Sequence, residues 1–265
     1  MTDVVAAMVA PVVDVTSFLS SSAASKEAFK TANLLKSLSV NALISGEQGT
    51  GKRSLAKYIL PDASIFNALN YDEIISAVAS CESIIIYNFE KFPNIEQLFA
   101  LLKENHVRLV ATSCITEKSE RYDEHFSIKI PLPPLCEREE DIIMLQELFI
   151  KEAKDIFAIE KEFDFSKLEA DISKNAYSLR RQIMMNYLLD DISEKELMVI
   201  MENFLYKRLG SNNDYRNFLH LFEIPLIQAG IKRFKSQLQL SEKLGLNRNT
   251  LRKKIAENEP FGLKT

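Results

Sequence analysis

The segment Gly46-Glu-Gln-Gly-Thr-Gly-Lys52 has the residue types and spacing to hold a phosphate. Glycine has no Cβ, so the backbone amides of such a loop can close around an anion. A helix opening at the end of the loop adds the positive end of its dipole. The lysine ammonium then reaches the outer phosphates of a nucleotide. The residues that form this cradle are Gly46, Gln48, Gly49, Thr50, Gly51, Lys52 and Arg53. Arg53 stands where a magnesium-binding Ser or Thr usually follows the lysine, and Ser54 comes next. Hydrolysis needs carboxylates at the tip of a neighbouring buried strand, to position magnesium and polarise water. After Ile84-Ile-Ile86 the chain reads Tyr87-Asn-Phe-Glu-Lys91, with no acidic pair at the tip and Glu90 only three residues further on. The sequence therefore predicts binding of ATP or ADP, leaves magnesium open and assigns no catalytic residue.

A second constellation lies at the other end of the chain. Residues 228–265 hold nine basic and three acidic side chains, a net charge of +6. The chain as a whole carries −4, so its first 227 residues carry −10. A basic tail on an acidic body predicts contact with a polyanion. Phe222 to Ile231 reads as a helix with Pro225 in its first turn. Leu238 to Leu244 reads as a second helix, ended by Gly245 in the left-handed position of a sharp turn. Asn247 is an N-cap for a third helix, Arg248 to Glu257, whose Leu251 and Ile255 face inward. Two helices joined by a short glycine-containing turn form a helix-turn-helix. Its second helix reads bases from its first residues and binds phosphate along its length.

The elements between these two ends alternate. Glu27 to Ser37, Lys52 to Leu60, Tyr71 to Ala79 and Ile95 to Glu104 show helical spacing. Asn41 to Ser45, Ser64 to Phe66, Ser83 to Tyr87, Val107 to Thr112 and Phe126 to Ile130 read as strands. Strands separated by helices of about ten residues predict a parallel sheet with crossover helices, an α/β fold. From Glu139 the patterns are helical only, up to a polar break at Gly210-Ser-Asn-Asn-Asp214. Cys81, Cys114 and Cys136, and likewise His106, His125 and His220, show no ligand spacing, so no metal site is predicted. No run reaches transmembrane length, and the first residues lack a basic leader. The expected location is the cytoplasm, without membrane contact.

The body resembles the AAA+ domain of NtrC-type bacterial enhancer-binding proteins, which activate sigma-54 RNA polymerase. The likeness lies in Phe18-Leu-Ser-Ser-Ser-Ala-Ala-Ser25, the phosphate loop (which in that family also lacks Ser or Thr after the lysine), Val110-Ala-Thr112 (sensor I) and Leu132-Pro-Pro-Leu-Cys-Glu-Arg-Glu-Glu-Asp-Ile142. The segment Gly245-Leu-Asn-Arg-Asn-Thr-Leu-Arg-Lys-Lys-Ile255 resembles the helix-turn-helix of Fis, a module that also closes NtrC-type activators. The resemblance implies that Asn247, Arg248, Asn249, Thr250, Arg252, Lys253 and Lys254 contact double-stranded DNA, and that the chain forms a homodimer. It also implies an AAA+-like α/β subdomain over 1–135 with an arm at 1–17, and a helical lid over 136–209. A linker at 210–217 and a small all-α Fis-type domain over 218–265 complete the expected order.

The departures from the family carry as much information. Only 31 residues separate Lys52 from Ile84, too few for the family's sigma-contacting loop. The Walker B acidic pair falls on Tyr87 and Asn88, and the sensor II arginine falls on Tyr177, with Arg180 and Arg181 nearby. The arginine-finger segment is shortened to Glu120-Arg-Tyr-Asp-Glu-His-Phe126, leaving Arg121. The function expected is a DNA-binding transcription regulator with a degenerate AAA+ body that does not remodel sigma-54 polymerase. Two other readings are an active ATP-dependent sigma-54 activator and a modulator that binds RNA polymerase or an intact activator.

Overall fold

Three consecutive isoleucines, Ile84 to Ile86, are fully buried. Side chains alternate across a strand, so Ile84 and Ile86 pack on one face while Ile85 packs on the other. The strand therefore has helices on both sides, as its continuous apolar run predicts. The computed structural model describes residues 18–114, 122–158, 169–190, 192–234 and 236–258. The expected N-terminal arm at 1–17 and Arg121 lie outside the described residues. Contacts divide the chain into two compact units, Met1–Asp191 and Ile192–Thr265.

In the first unit α1 (Ala23–Lys36) leads into β1 (Ala42–Gly46), α2 (Lys52–Ile59) and β2 (Ser64–Asn67). Then come α3 (Tyr71–Val78), β3 (Ser83–Tyr87), α4 (Ile95–Glu104), β4 (Arg108–Ser113) and β5 (Ile128–Leu132). The five strands run in the order β2-β3-β4-β1-β5, and every pairing is parallel. The α/β fold expected from the sequence is the fold observed. The last strand begins two residues later than its apolar pattern suggests. Phe126 turns instead into an aromatic cluster with Phe89 and Phe99. Pro131 is tolerated because β5 is an edge strand.

The helices α5 (Glu139–Phe157) and α6 (Ala176–Asp190) pack together around Phe149, Ala153, Leu179, Ile183, Met184 and Tyr187. Asp141, on the first turn of α5, is 1% exposed and ties this layer to the sheet. Its Oδ1 accepts from the Ser21 and Ser22 amides at 2.7 and 2.8 Å and from Ser25 Oγ at 2.9 Å. Its Oδ2 accepts from Ser22 Oγ at 3.1 Å and from Arg138 Nη1 at 3.3 Å. The start of α1 is thus capped by a carboxylate 119 residues away in sequence.

The second unit holds α7 (Glu194–Tyr206), α8 (Asp214–Phe234), α9 (Gln237–Lys243) and α10 (Arg248–Asn258). Of the linker expected at 210–217, residues 210–213 form a turn and 214–217 are the first residues of α8. The Asp214 carboxylate accepts from the Gly210 and Ser211 amides at 2.7 and 3.0 Å, so the polar residues there cap a helix. The division between units falls at 191/192 instead, and α7 goes with the C-terminal unit rather than with a lid ending at 209. The helix expected over 222–231 runs from Asp214 to Phe234, with Pro225 in its interior rather than its first turn. An interior proline costs about 3 kcal/mol. The stripe Ile224, Ile227, Ile231 and Phe234, packed into the unit's core, offsets that cost.

Replacing Asp141 with Ala leaves the buried Arg138 guanidinium without its partner and removes the cap of α1. The expected loss is about 3–5 kcal/mol, read from the urea midpoint of the full chain. A loss below about 1 kcal/mol, the worth of one ordinary hydrogen bond, would show that Asp141 is no hub.

Candidate functional sites: a phosphate cradle and a basic helix

The loop between β1 and α2 sits at the carboxyl end of a central strand, where ligands of open α/β sheets bind. It borders a cavity of about 400 Å³. Of the cradle residues, Gln48, Gly49, Thr50, Gly51, Lys52 and Arg53 line that cavity. Gly46 ends β1 behind them, and its carbonyl accepts from Lys52 Nζ, as does the Glu47 carbonyl. Lys52 is buried, and desolvation pulls its pKa below the usual lysine value, while Cys114 and Glu90 oppose that shift. An anion in the cavity would stabilise the same ammonium.

The loop's shape is fixed from outside. Gly49 has φ +85°, and a Cβ there would lie 2.5 Å from the Lys174 carbonyl oxygen. The Ala176 amide donates to Gly49 O at 3.2 Å. Asn175 Nδ2 donates to Gln48 O at 3.0 Å and to Glu47 Oε2 at 3.1 Å, while its Oδ1 accepts from the Leu135 amide at 2.7 Å. Arg138 Nη2 donates to Thr50 O at 2.9 Å. The signature segment around Arg138 and the turn before α6 therefore clamp the loop from two sides.

The lining also includes Phe18, which packs against Gly51, and Leu145, Leu148 and Phe149, apolar surface suited to a flat ring. Thr112 and Cys114, at the end of β4, and Tyr177 also line the cavity. Tyr177 thus stands where the resemblance places the sensor II arginine. Arg180 cannot take its place, because it is buried and bidentate to Glu152 at 2.9 and 2.7 Å. Arg181 is exposed. At the tip of β3, Asn88 adopts φ +56°, and a short 3₁₀ turn, Phe89–Lys91, follows. That turn carries Glu90 into the cavity, where its Oε2 accepts from the Cys114 amide at 3.2 Å. Sequence spacing alone puts Glu90 too far along; the left-handed Asn88 is the signal that brings it back.

In the C-terminal unit, Leu240 and Leu251 are fully buried, with Ile227 and Ile255 around them. Leu240 lies so close to α8 that a Cβ on Gly230 would come 2.2 Å from its Cδ1. The turn between α9 and α10 closes with the Gly245 amide on Glu242 O and the Leu246 amide on Ser241 O, at 3.2 and 2.9 Å. Asn247 Oδ1 accepts from the Asn249 amide at 2.8 Å and caps α10. Asn247, Arg248, Asn249, Thr250, Arg252 and Lys253 are exposed, and Lys253 lies 3.7 Å from Glu257. Lys254 differs from them: it is half-buried and paired with Glu223 of α8, which also accepts from Asn258 Nδ2 at 3.4 Å. Position 254 thus turns toward α8, while Arg252 and Lys253 before it on α10 face outward.

Residues 218–257 match the family model described as bacterial regulatory protein, Fis family. The C-terminal segment is a Fis-type helix-turn-helix. NtrX from Brucella abortus in complex with ATP is 16% identical, with 91% of this chain and 68% of that chain covered and a TM-score of 0.53. The same protein in complex with ADP aligns over 92% of this chain and 69% of its own, at 16% identity and a TM-score of 0.56. These likenesses are of fold alone. No curated protein matches the chain in sequence.

Gly49→Ala should force the loop away from residues 174–176. Hydrogen exchange of the Ala176 amide is expected to rise about tenfold or more, matching a loss of about 1.4 kcal/mol. Unchanged protection would show that the loop is not held there.

Proposed function

We propose that the chain is a cytoplasmic, sequence-specific DNA-binding transcription regulator. One observation carries this reading: α10 buries Leu251 and Ile255 in its own unit and leaves Arg248, Asn249, Thr250, Arg252 and Lys253 exposed together. Residues at the start of that helix, with the capping Asn247, read base edges; Arg252 and Lys253 bind phosphate. Lys254 serves the fold through Glu223. Among the described residues no helix is long and apolar enough to cross a membrane.

The regulator is a homodimer, as two half-sites of a helix-turn-helix require. The apolar residues of α7 support this. Leu197, Met198, Val199, Ile200 and Phe204 are exposed, and among the described residues α7 buries none of its own side chains. The AAA+-like body binds ATP or ADP at Gly46 to Arg53; the solved NtrX structures hold those two nucleotides, and the cavity has both the phosphate loop and apolar surface in its lining. That body is degenerate. The 31 residues between Lys52 and Ile84 are taken up by α2, β2 and α3 and their turns, with no room for a sigma-contacting loop. Tyr87 and Asn88 supply no acidic pair. The chain therefore regulates by binding DNA rather than by remodelling sigma-54 polymerase.

A gel-shift on genomic fragments checks the assignment. Arg248→Ala should cost about 1–3 kcal/mol at the specific site. Lys253→Ala should weaken all sequences alike and lower the salt slope by about 1. Lys254→Ala should lower thermal stability while leaving the affinity of the folded protein near that of the wild type. Arg248→Ala binding as tightly as the wild type would remove α10 as the reading helix.

A further inference from the structure

In the general phosphate loop two positions hold magnesium: the hydroxyl after the lysine, and a carboxylate at the tip of a neighbouring buried strand. In this chain both have been exchanged, and the replacements touch. Arg53 follows Lys52, Tyr87 ends β3, and the Arg53 guanidinium carbon lies 4.6 Å from the Tyr87 ring centroid. Arg53 lines the cavity beside Lys52.

The remaining oxygens are sparse for the metal. Magnesium takes a near-octahedral set of oxygens, usually one or two carboxylates with waters and phosphates. Asp141 and Glu90 are the carboxylates in the lining. Asp141 is committed on both oxygens to Ser21, Ser22, Ser25 and Arg138. Glu90 accepts from the Cys114 amide on Oε2, which leaves it as the single lining carboxylate with an oxygen to offer a cation. A guanidinium at the metal's corner also repels a divalent cation.

We propose that this cradle takes a nucleoside di- or triphosphate without a divalent metal, with the Arg53 guanidinium supplying the charge that magnesium would bring to the phosphates. The planar guanidinium matches phosphate oxygens in a fork, and its permanent charge needs no metal. The Tyr87 ring holds it in place through a cation–π contact, so little side-chain freedom is lost on binding. Such a site keeps its nucleotide when magnesium is withdrawn. The inference rests on the reading that the loop binds nucleotide at all.

Calorimetric titration of the full chain with ATP and with ADP, in excess magnesium and in excess chelator, tests both. The expected dissociation constants agree within about twofold between the two conditions, and Arg53→Ala weakens binding about tenfold or more in each. Arg53 is exposed, so the variant should fold; an unchanged thermal melt without ligand checks this. Arg53→Lys, which keeps a charge but not the fork, should fall between the two. Binding about tenfold tighter in magnesium, or wild-type affinity in Arg53→Ala, overturns the metal-free assignment. No binding of either nucleotide in either condition overturns the nucleotide reading itself.

Discussion

Asp141 is the acceptor on which three parts of the N-terminal unit converge. It caps α1 through Ser21, Ser22 and Ser25, and it pairs with Arg138 at the start of α5. Arg138 in turn donates to the carbonyl of Thr50 in the phosphate loop. Both groups are buried, so neither can exchange its partner for water without a large cost. Remove the carboxylate, and the loop loses the arginine that props it, the helix loses its cap, and the α5–α6 layer loses its anchor to the sheet. The clamp at Asn175 works in the same sense from the opposite side.

On the proposed reading, what this frame encloses departs further from the resembled family than the frame itself does. The loop, its supports and an apolar lining remain. On the same reading the acidic pair at the β3 tip itself is missing, although Glu90 enters the cavity from the next turn; Tyr177 stands in place of an arginine, and Arg180 is paired with Glu152. A protein that kept turnover would be expected to keep the groups that charge and orient water, since those supply most of the barrier reduction in phosphoryl transfer. A protein that uses nucleotide only to stiffen its fold needs the cradle alone. In the C-terminal unit, by contrast, core, turn, cap and exposed basic edge are all in place together.

Much of the fold was legible because its signals are local. A run of three isoleucines between turn residues has one good explanation, a strand covered on both faces. Gly245, Leu246 and Asn247 spell out a turn and a cap within three positions. The departures come from partners distant in sequence. Phe126 leaves the apolar pattern of β5 because an aromatic cluster offers it more burial. Pro225 stays within a helix because the stripe from Ile224 to Phe234 holds the flanking turns. Lys254 reads as one more outward charge until Glu223, 31 residues earlier, is found beside it. Glu90 reads as out of reach until the left-handed Asn88 turns the chain back. Charge patterns and spacing report which residues share a face; they do not report which cation has already found its anion.

ATP turnover by the full-length chain, with and without the DNA it binds, tests the central claim most directly. That claim is an AAA+-like body whose chemistry has been lost while its DNA-reading end persists. The account predicts no phosphate release above the level of Lys52→Ala in either case. Turnover well above that level, abolished by Lys52→Ala, would contradict it and restore the chain as a working motor.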